Sequence, residues 1–380
     1  MISALTAILR VGVFGESMPP DIAKKLTADN LKSLFSLAQK HDLAHIVGEV
    51  LEKNSLLTDC PEVRQLYLEQ LNMANYRYKF MQYELDQLSN VLQDANIPFV
   101  PLKGSVIRGY YPLPWMRTSC DIDVLVKEED LDRAVQCLVS SLNYRSDKAG
   151  NHDVSLYSKI GVHIELHYKL NSTLYTWDKV LDDVWDYTTP QEGCKYRLKD
   201  EMFYYYHLSH MASHFKAGGV GIRFFLDLRL LDMHLRIDKD ALTTLLQQGG
   251  LTDFYRGAVD LANWWFGDGE YTQLVENMQE YIVGAGMYGD VKNYVAIEKS
   301  TKGSAKHLLS RIWLPYEKLK YQYPILQKHK ILTPIYQVRR WFNLLNKSTR
   351  ERALYELDHS VNTDNESVER VSRLMQDLGI

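Results

Sequence analysis

The sequence predicts an α+β protein in which a small mixed sheet is held between N-terminal helices and a C-terminal helical lobe. Three observations predict it. Apolar residues recur at three- and four-residue steps from about residue 20 to residue 96, the period of helices buried on one side. From Phe99 the period shortens to two and prolines interrupt it, which is the texture of strands and turns. Beyond Thr188 the helical period returns. Cut at these changes, the chain divides into segments 1–96, 97–190 and 191–380.

Each element follows from local chemistry. Asp29 to Gln39 carries Leu31, Leu34, Phe35, Leu37 and Ala38 at helix spacing, with Asp29 or Asn30 as the expected cap. His41 to Leu51 repeats the pattern. Pro61 opens a long helical segment in which Leu66, Leu68, Leu71, Ala74, Tyr78, Met81, Leu85, Leu88 and Leu92 recur at three- and four-residue steps, and Asn96 with Pro98 stops it. Pro98 to Leu102 is a short extended segment that ends in Lys103-Gly104-Ser105. After a short helix and a proline-interrupted loop, Asp121-Ile122-Asp123-Val124-Leu125-Val126 reads as a buried strand. Lys127-Glu128-Glu129-Asp130 leads into a helix whose first turn favours acids. Asn151 to Ser158 and Gly161 to Leu170 read as two alternating strands. Helices are expected over 200–214, 223–234, 242–251 and 254–266, and the polar residues from about Asp358 are expected to be partly disordered.

Composition narrows the class of function. With 46% hydrophobic and 24% charged residues the chain is of ordinary globular composition. A net charge of −4 gives no general attraction to a polyanion, which counts against a polynucleotide partner. The four cysteines have no metal-ligand spacing and are too few for a disulfide framework, so they read as reduced thiols of a cytoplasmic protein. Met1 to Phe14 is apolar but has no basic leading region and is interrupted by Arg10, so it does not read as a signal peptide. No apolar run is long enough to span a membrane.

The chemistry centres on Asp121 and Asp123. Strand side chains alternate, so both acids share one face while Ile122 and Val124 share the other. Two carboxylates side by side on a buried strand need compensation, and a divalent cation is the simplest. Glu165 supplies a third acid on a later strand. Gly104 lets a phosphate approach the backbone, with the Ser105 hydroxyl as a second donor, and Lys103 and Arg117 are nearby cations. A metal-assisted phosphoryl or nucleotidyl transfer needs these parts. The alternative for Arg117 is a structural pair with Asp121 or Asp123.

The run Pro101-Leu102-Lys103-Gly104, Tyr111-Pro112, Arg117, Asp121-Ile122-Asp123-Val124-Leu125-Val126 and Glu165-Leu166-His167 resembles the polymerase-beta-type nucleotidyltransferase superfamily. Within it the chain looks most like a bacterial family of uncharacterised nucleotidyltransferases. The motif resemblance covers roughly residues 97 to 170, and a looser likeness extends over His210, His214, Arg223 and Asp227. It implies a small mixed-sheet nucleotidyltransferase domain, with Asp121, Asp123 and Glu165 as catalytic metal ligands for Mg²⁺ or Mn²⁺. It further implies that Lys103, Gly104, Ser105, Arg117, Arg223 and Asp227 face a nucleoside triphosphate such as ATP. Two departures stand out: Lys103 precedes the glycine where compact superfamily members have an apolar residue, and the spacer from Ser105 to Asp121 is long.

Other readings stay open. His163 and His167 flank Glu165 on one strand face, either as neighbours of the acid or as part of a transition-metal site. His207, His210 and His214 lie along one helix face, either as a polar stripe towards a cleft or as a zinc-type row. Arg223 and Asp227 at four-residue spacing are either a surface pair or nucleotide contacts. The run Phe203 to Tyr206 reads as core. The expected activity is nucleotidyl transfer to a hydroxyl of a small molecule or a protein. The alternatives are a nucleotide-binding regulator that keeps the fold without turnover, and a helical interaction protein. Acceptor, oligomeric state and choice of nucleotide are not legible.

Overall fold

The structure, a computed structural model, describes all residues other than 148–149, 151, 171–174, 288, 303–312, 317–318, 321–322, 324, 344–349 and 351–363. Asn151, at the head of one expected strand, and the start of the polar tail at Asp358 lie outside the described residues.

The chain opens with helices α1 (Ile2–Phe14), α2 (Pro20–Lys25), α3 (Ala28–Lys40), α4 (Ala44–Lys53) and α5 (Pro61–Asp94). The cap of α3 is Thr27, not Asp29 or Asn30: its hydroxyl accepts from the Asn30 N–H at 3.4 Å, which places the first helical residue at Ala28. The apolar Met1 to Phe14 stretch is mostly α1, with Leu5, Ile8, Leu9 and Val13 buried. The N-terminal half of α5 buries Val63 and Tyr67 with these helices, and its C-terminal half buries Met81, Leu85, Leu88 and Leu92 against the sheet.

The sheet contains β1 (Phe99–Pro101), β2 (Asp121–Val126), β3 (Arg145–Ser146), β4 (Asp153–Tyr157), β5 (His163–His167), β6 (Thr188–Glu192) and β7 (Lys195–Leu198), in the order β3-β4-β5-β2-β1-β7-β6. Between β1 and β2 lies the one-turn helix α6 (Gly104–Ile107), and α7 (Leu131–Leu142) follows β2. β2 pairs in parallel with β5 and antiparallel with β1. Residues 188–198 form β6 and β7 rather than leading directly into helices. The Thr188-Thr189-Pro190-Gln191-Glu192 segment is a polar edge strand with a register shift, so it lacks the alternation that marks an inner strand.

The two faces of β2 go to different cores. Ile122, Val124 and Val126 pack with Ile164, Leu166, α5 and α7. On the opposite face Leu125 joins Val100 and Leu102 in the larger core. That core also includes the lobe built from α8 (Asp200–Lys216), α9 (Ile222–His234), α10 (Lys239–Gly249), α11 (Thr252–Phe266), α12 (Gln273–Ala285) and α13 (Val291–Lys302). Near the C-terminus, part of the stretch expected to be disordered is helical over Asn365–Asp377. Asp364 caps it, accepting from the Ser367 N–H at 2.7 Å, and Val371, Leu374 and Met375 are buried. Its apolar stripe is narrow, which is why its composition reads as a polar tail.

Candidate active site

The parallel register of β2 and β5 assembles the acids. Asp121 sits beside His163, Asp123 beside Glu165 and Leu125 beside His167. A parallel pair keeps matched residues on the same face, so both aspartates, Glu165 and the two histidines emerge together at one end of the sheet. Asp123 is buried, while Asp121 and Glu165 are half-buried.

Lys103 reaches the acids because of an uncommon backbone conformation. Its φ of 43° turns the chain sharply from β1 into α6, at a cost on the order of 1 kcal/mol or more for a non-glycine residue. Its ammonium lies 2.7 Å from Asp123 Oδ1. The same oxygen accepts from His167 Nε2 at 2.9 Å, and His167 Nε2 is also 3.4 Å from Glu165 Oε2. Burial alone would raise the Asp123 pKa, but Lys103 and His167 hold it well below the usual carboxylate range. Burial likewise opposes charge on Lys103, and Asp123 overrides it to raise the lysine's pKa well above the ordinary value. The His167 hydrogen bond lowers the Glu165 pKa against burial. Asp121 goes the other way. Its pKa is raised by burial and by the neighbouring Asp123, the signature of a carboxylate short of positive charge.

Lys103, Asp121, Asp123 and Glu165 line a cavity of about 280 Å³ between the sheet and the lobe. Gly104, Ser119 and Cys120 form the sheet side, and Phe203, Tyr206, His207, His210, His214, Arg223 and Phe224 of α8 and α9 form the other. A Cβ on Gly104 would lie 3.0 Å from Ser119 Cβ, so a glycine here brings the start of α6 close to the segment that enters β2. The histidine row faces this cleft. His207 Nε2 bonds the Phe224 carbonyl at 3.1 Å, and His210 and His214 bond each other through Nε2 at 3.0 Å. Burial lowers the pKa of each, to about 4 for His214, so the row is neutral near pH 7. Phe203 and Tyr206 are buried and also reach the cavity wall.

Not every residue expected at the site meets the acids. Ser105 lines a separate cavity with Tyr110 and Lys195, and its N–H is bonded to the Leu102 carbonyl at 3.1 Å. Arg117 pairs with neither Asp121 nor Asp123. Its Nε donates to both oxygens of Asp227 at 2.8 Å each, and the Tyr111 hydroxyl donates to Asp227 Oδ1 at 2.7 Å. Asp227 is fully buried beneath this pair. Arg223 and Asp227 do not form the four-residue surface pair: Arg223 Nη1 instead donates to Asp42 Oδ2 and, at 2.9 Å, to the Thr118 hydroxyl. These contacts tie α9 to the loop before β2 and to the end of α3. The parts of this tie that sequence reasoning missed are Asp42 and Thr118. Neither carries a local signal, because the contact is between segments 76 residues or more apart.

The donor set suits a hard or borderline divalent cation. Carboxylate and imidazole donors fall into two close groups, Asp121 with His163 and Glu165, and Asp123 with Glu165 and His167, each with its ligand atoms within 4.8 Å of one another. Among the described residues no helix is long and apolar enough to cross a membrane.

A mixed sheet whose parallel pair sets an Asp-x-Asp beside a third acid, facing a helical lobe, is the architecture of a nucleotidyltransferase. The chain belongs to the family described as uncharacterised nucleotidyltransferase, whose model matches residues 27–267, from the cap of α3 to the end of α11. No curated protein and no solved structure matches the chain.

Proposed function

We propose that the protein transfers a nucleotidyl group from a nucleoside triphosphate to a hydroxyl of a small molecule or of a protein, with Mg²⁺ or Mn²⁺ held by Asp121, Asp123 and Glu165. The observation that carries this reading is the β2–β5 register, which brings three carboxylates to one strand end beside a cleft. Asp121, with its raised pKa, is the acid most in need of a cation. When bound, the cation would neutralise the phosphates and stabilise the charge that develops on the attacking and leaving oxygens.

The chain's own groups divide the remaining work. Lys103 and the Gly104 backbone hold the phosphates against the acids, and Arg223 stands at the opposite wall. At about 280 Å³ the cavity is at the small end of ligand pockets, which suits phosphates inside and the base at the rim. The acceptor oxygen attacks the α-phosphorus, the bond to pyrophosphate breaks, and the hydroxyl proton passes to a carboxylate of the cluster. Arg117 and Asp227 position the lobe. Ser105 lines another cavity and is given no role in this reading.

One observation favours a second reading, a nucleotide-binding protein without turnover: Lys103 and His167 already compensate Asp123. Thermal shift with ATP, GTP, CTP and UTP, with and without Mg²⁺, separates the two when paired with label transfer from α-labelled nucleotide. A metal-dependent shift that Asp121→Asn/Asp123→Asn abolishes, together with label transfer, supports the enzyme. A shift without transfer to any acceptor favours the binding protein, no metal-dependent shift for any nucleotide sinks the enzyme, and no nucleotide shift with or without Mg²⁺ sinks both.

A further inference from the structure

We propose that the cation at this site is held in part by nitrogen: His163 is a direct ligand together with Asp121 and Glu165, which suits a later first-row divalent ion better than Mg²⁺. The inference rests on the reading of the acids as a metal site and adds a donor that the motif does not contain.

The two close groups of donors differ in what already occupies them. In the inner group, Asp123 Oδ1 is taken by the Lys103 ammonium at 2.7 Å and by His167 at 2.9 Å, and His167 Nε2 also contacts Glu165 Oε2. Two of the chain's own cations or donors therefore stand where an ion would go. The outer group is open. Among the described residues the Asp121 carboxylate has no hydrogen-bond or ion-pair partner, and Glu165 keeps Oε1 beyond its His167 contact. Asp121, His163 and Glu165 are all half-buried, and Asp121 and Glu165 also line the cleft.

His163 is oriented as metal-binding histidines are. Its Nε2 shares a hydrogen bond with Ser155 Oγ at 3.1 Å, and its ring stacks on Tyr157 with centroids 4.9 Å apart. A hydroxyl partner on one ring nitrogen and a packed ring face hold the imidazole in place beside the two acids. The β2–β5 register puts His163 directly beside Asp121, so the donor is built into the sheet rather than carried on a mobile loop. Mg²⁺ favours all-oxygen shells, whereas an imidazole suits the later first-row ions Fe²⁺, Ni²⁺, Cu²⁺ and Zn²⁺; Mn²⁺, at the weak end of that series, serves as the spectroscopic probe.

The test uses Mn²⁺ on the full-length protein, alone and with tripolyphosphate, which supplies the phosphates of a nucleotide but no nitrogen. Electron paramagnetic resonance counts bound Mn²⁺, and electron spin echo modulation detects directly coordinated ¹⁴N. We expect bound Mn²⁺ with a nitrogen coupling in the wild type. His163→Ala should still bind Mn²⁺ through the carboxylates, with the coupling lost and the affinity lowered. Mn²⁺ bound without nitrogen coupling in the wild type overturns the inference and leaves the carboxylate site standing. Coupling that persists in His163→Ala overturns it too, and a further loss in His167→Ala would then identify the inner group. If no Mn²⁺ binds, with or without tripolyphosphate, both the inference and the metal reading fail. The wild-type spectrum decides the question even if a variant is poorly folded.

Discussion

Asp227→Ala tests how the lobe is fastened to the sheet. Asp227 is fully buried and accepts from Arg117 Nε through both oxygens, while the Tyr111 hydroxyl shares Oδ1. Burial opposes the charge on Arg117, and Asp227 outweighs it, raising the guanidinium pKa. Arg117 is 6% exposed, and without the carboxylate it would keep the Thr118 carbonyl as its remaining partner among the described residues. Deleting one member of a buried ion pair costs about 3–5 kcal/mol, and stranding the Tyr111 hydroxyl adds part of about 1–3 kcal/mol. The terms overlap, so the expected loss is about 4 kcal/mol, a large share of the roughly 5–15 kcal/mol that stabilises a typical domain. Urea unfolding at pH 7, followed by circular dichroism and by tryptophan fluorescence, measures it, and coincident curves establish a single transition. In Arg117→Met/Asp227→Leu both charges are gone, and the cost should fall below that of either single change. A loss under about 1 kcal/mol for Asp227→Ala, or a double variant that costs the sum of the singles, would refute the reasoning.

Three further outcomes follow from other contacts. His41 is fully buried and burial lowers its pKa to about 4, so the unfolded chain takes up a proton below pH 6.5 that the native chain refuses. Stability should therefore fall as pH drops from 6.5 to about 4, by at most about 3 kcal/mol for this residue, and His41→Asn should remove one proton's worth of that slope in urea titrations at several pH values. A Cβ on Gly249 would lie 1.9 Å from Tyr205 Oη, whose hydroxyl donates to the Trp177 carbonyl at 2.8 Å. Gly249→Ala should lower the melting temperature by a clash worth about 1–3 kcal/mol, and Tyr205→Phe in the same chain should recover part of it; equal melting of Gly249→Ala and wild type would contradict the packing. Tyr144 donates its hydroxyl to buried Glu84, so Tyr144→Phe should cost about 1–3 kcal/mol by leaving a carboxylate oxygen unpaired, read by the same unfolding curves.

The parts of the fold that could be read in advance are those whose period is local. In Asp121 to Val126 and His163 to His167 one face is apolar and packs with α5 and α7, while the other carries the acids and histidines, with Leu125 joining the larger core. The long helix α5 was equally legible through its stripe and its proline start. β6 and β7 were not, because a polar strand at the sheet edge has little apolar face to show. The helix over Asn365–Asp377 hid its Val371, Leu374 and Met375 among charges. At the site, the acids declared themselves by spacing, whereas the direction of Ser105 depends on how Lys103 turns the chain into α6. The partners of Arg117 and Arg223 were out of reach for another reason. Asp227 lies 110 residues from Arg117 and Asp42 lies 181 residues from Arg223, and no local pattern records such pairings.

α5 threads both cores on a single rod. Val63 and Tyr67 are clamped among the N-terminal helices, and Met81, Leu85, Leu88 and Leu92 are clamped beneath the sheet. Fluctuations that open the sheet core release one end of this helix while the other end stays held. Amide hydrogen exchange along α5 thus becomes a gauge with two calibrated ends, and the residue at which protection changes marks the boundary between two cooperative folding units.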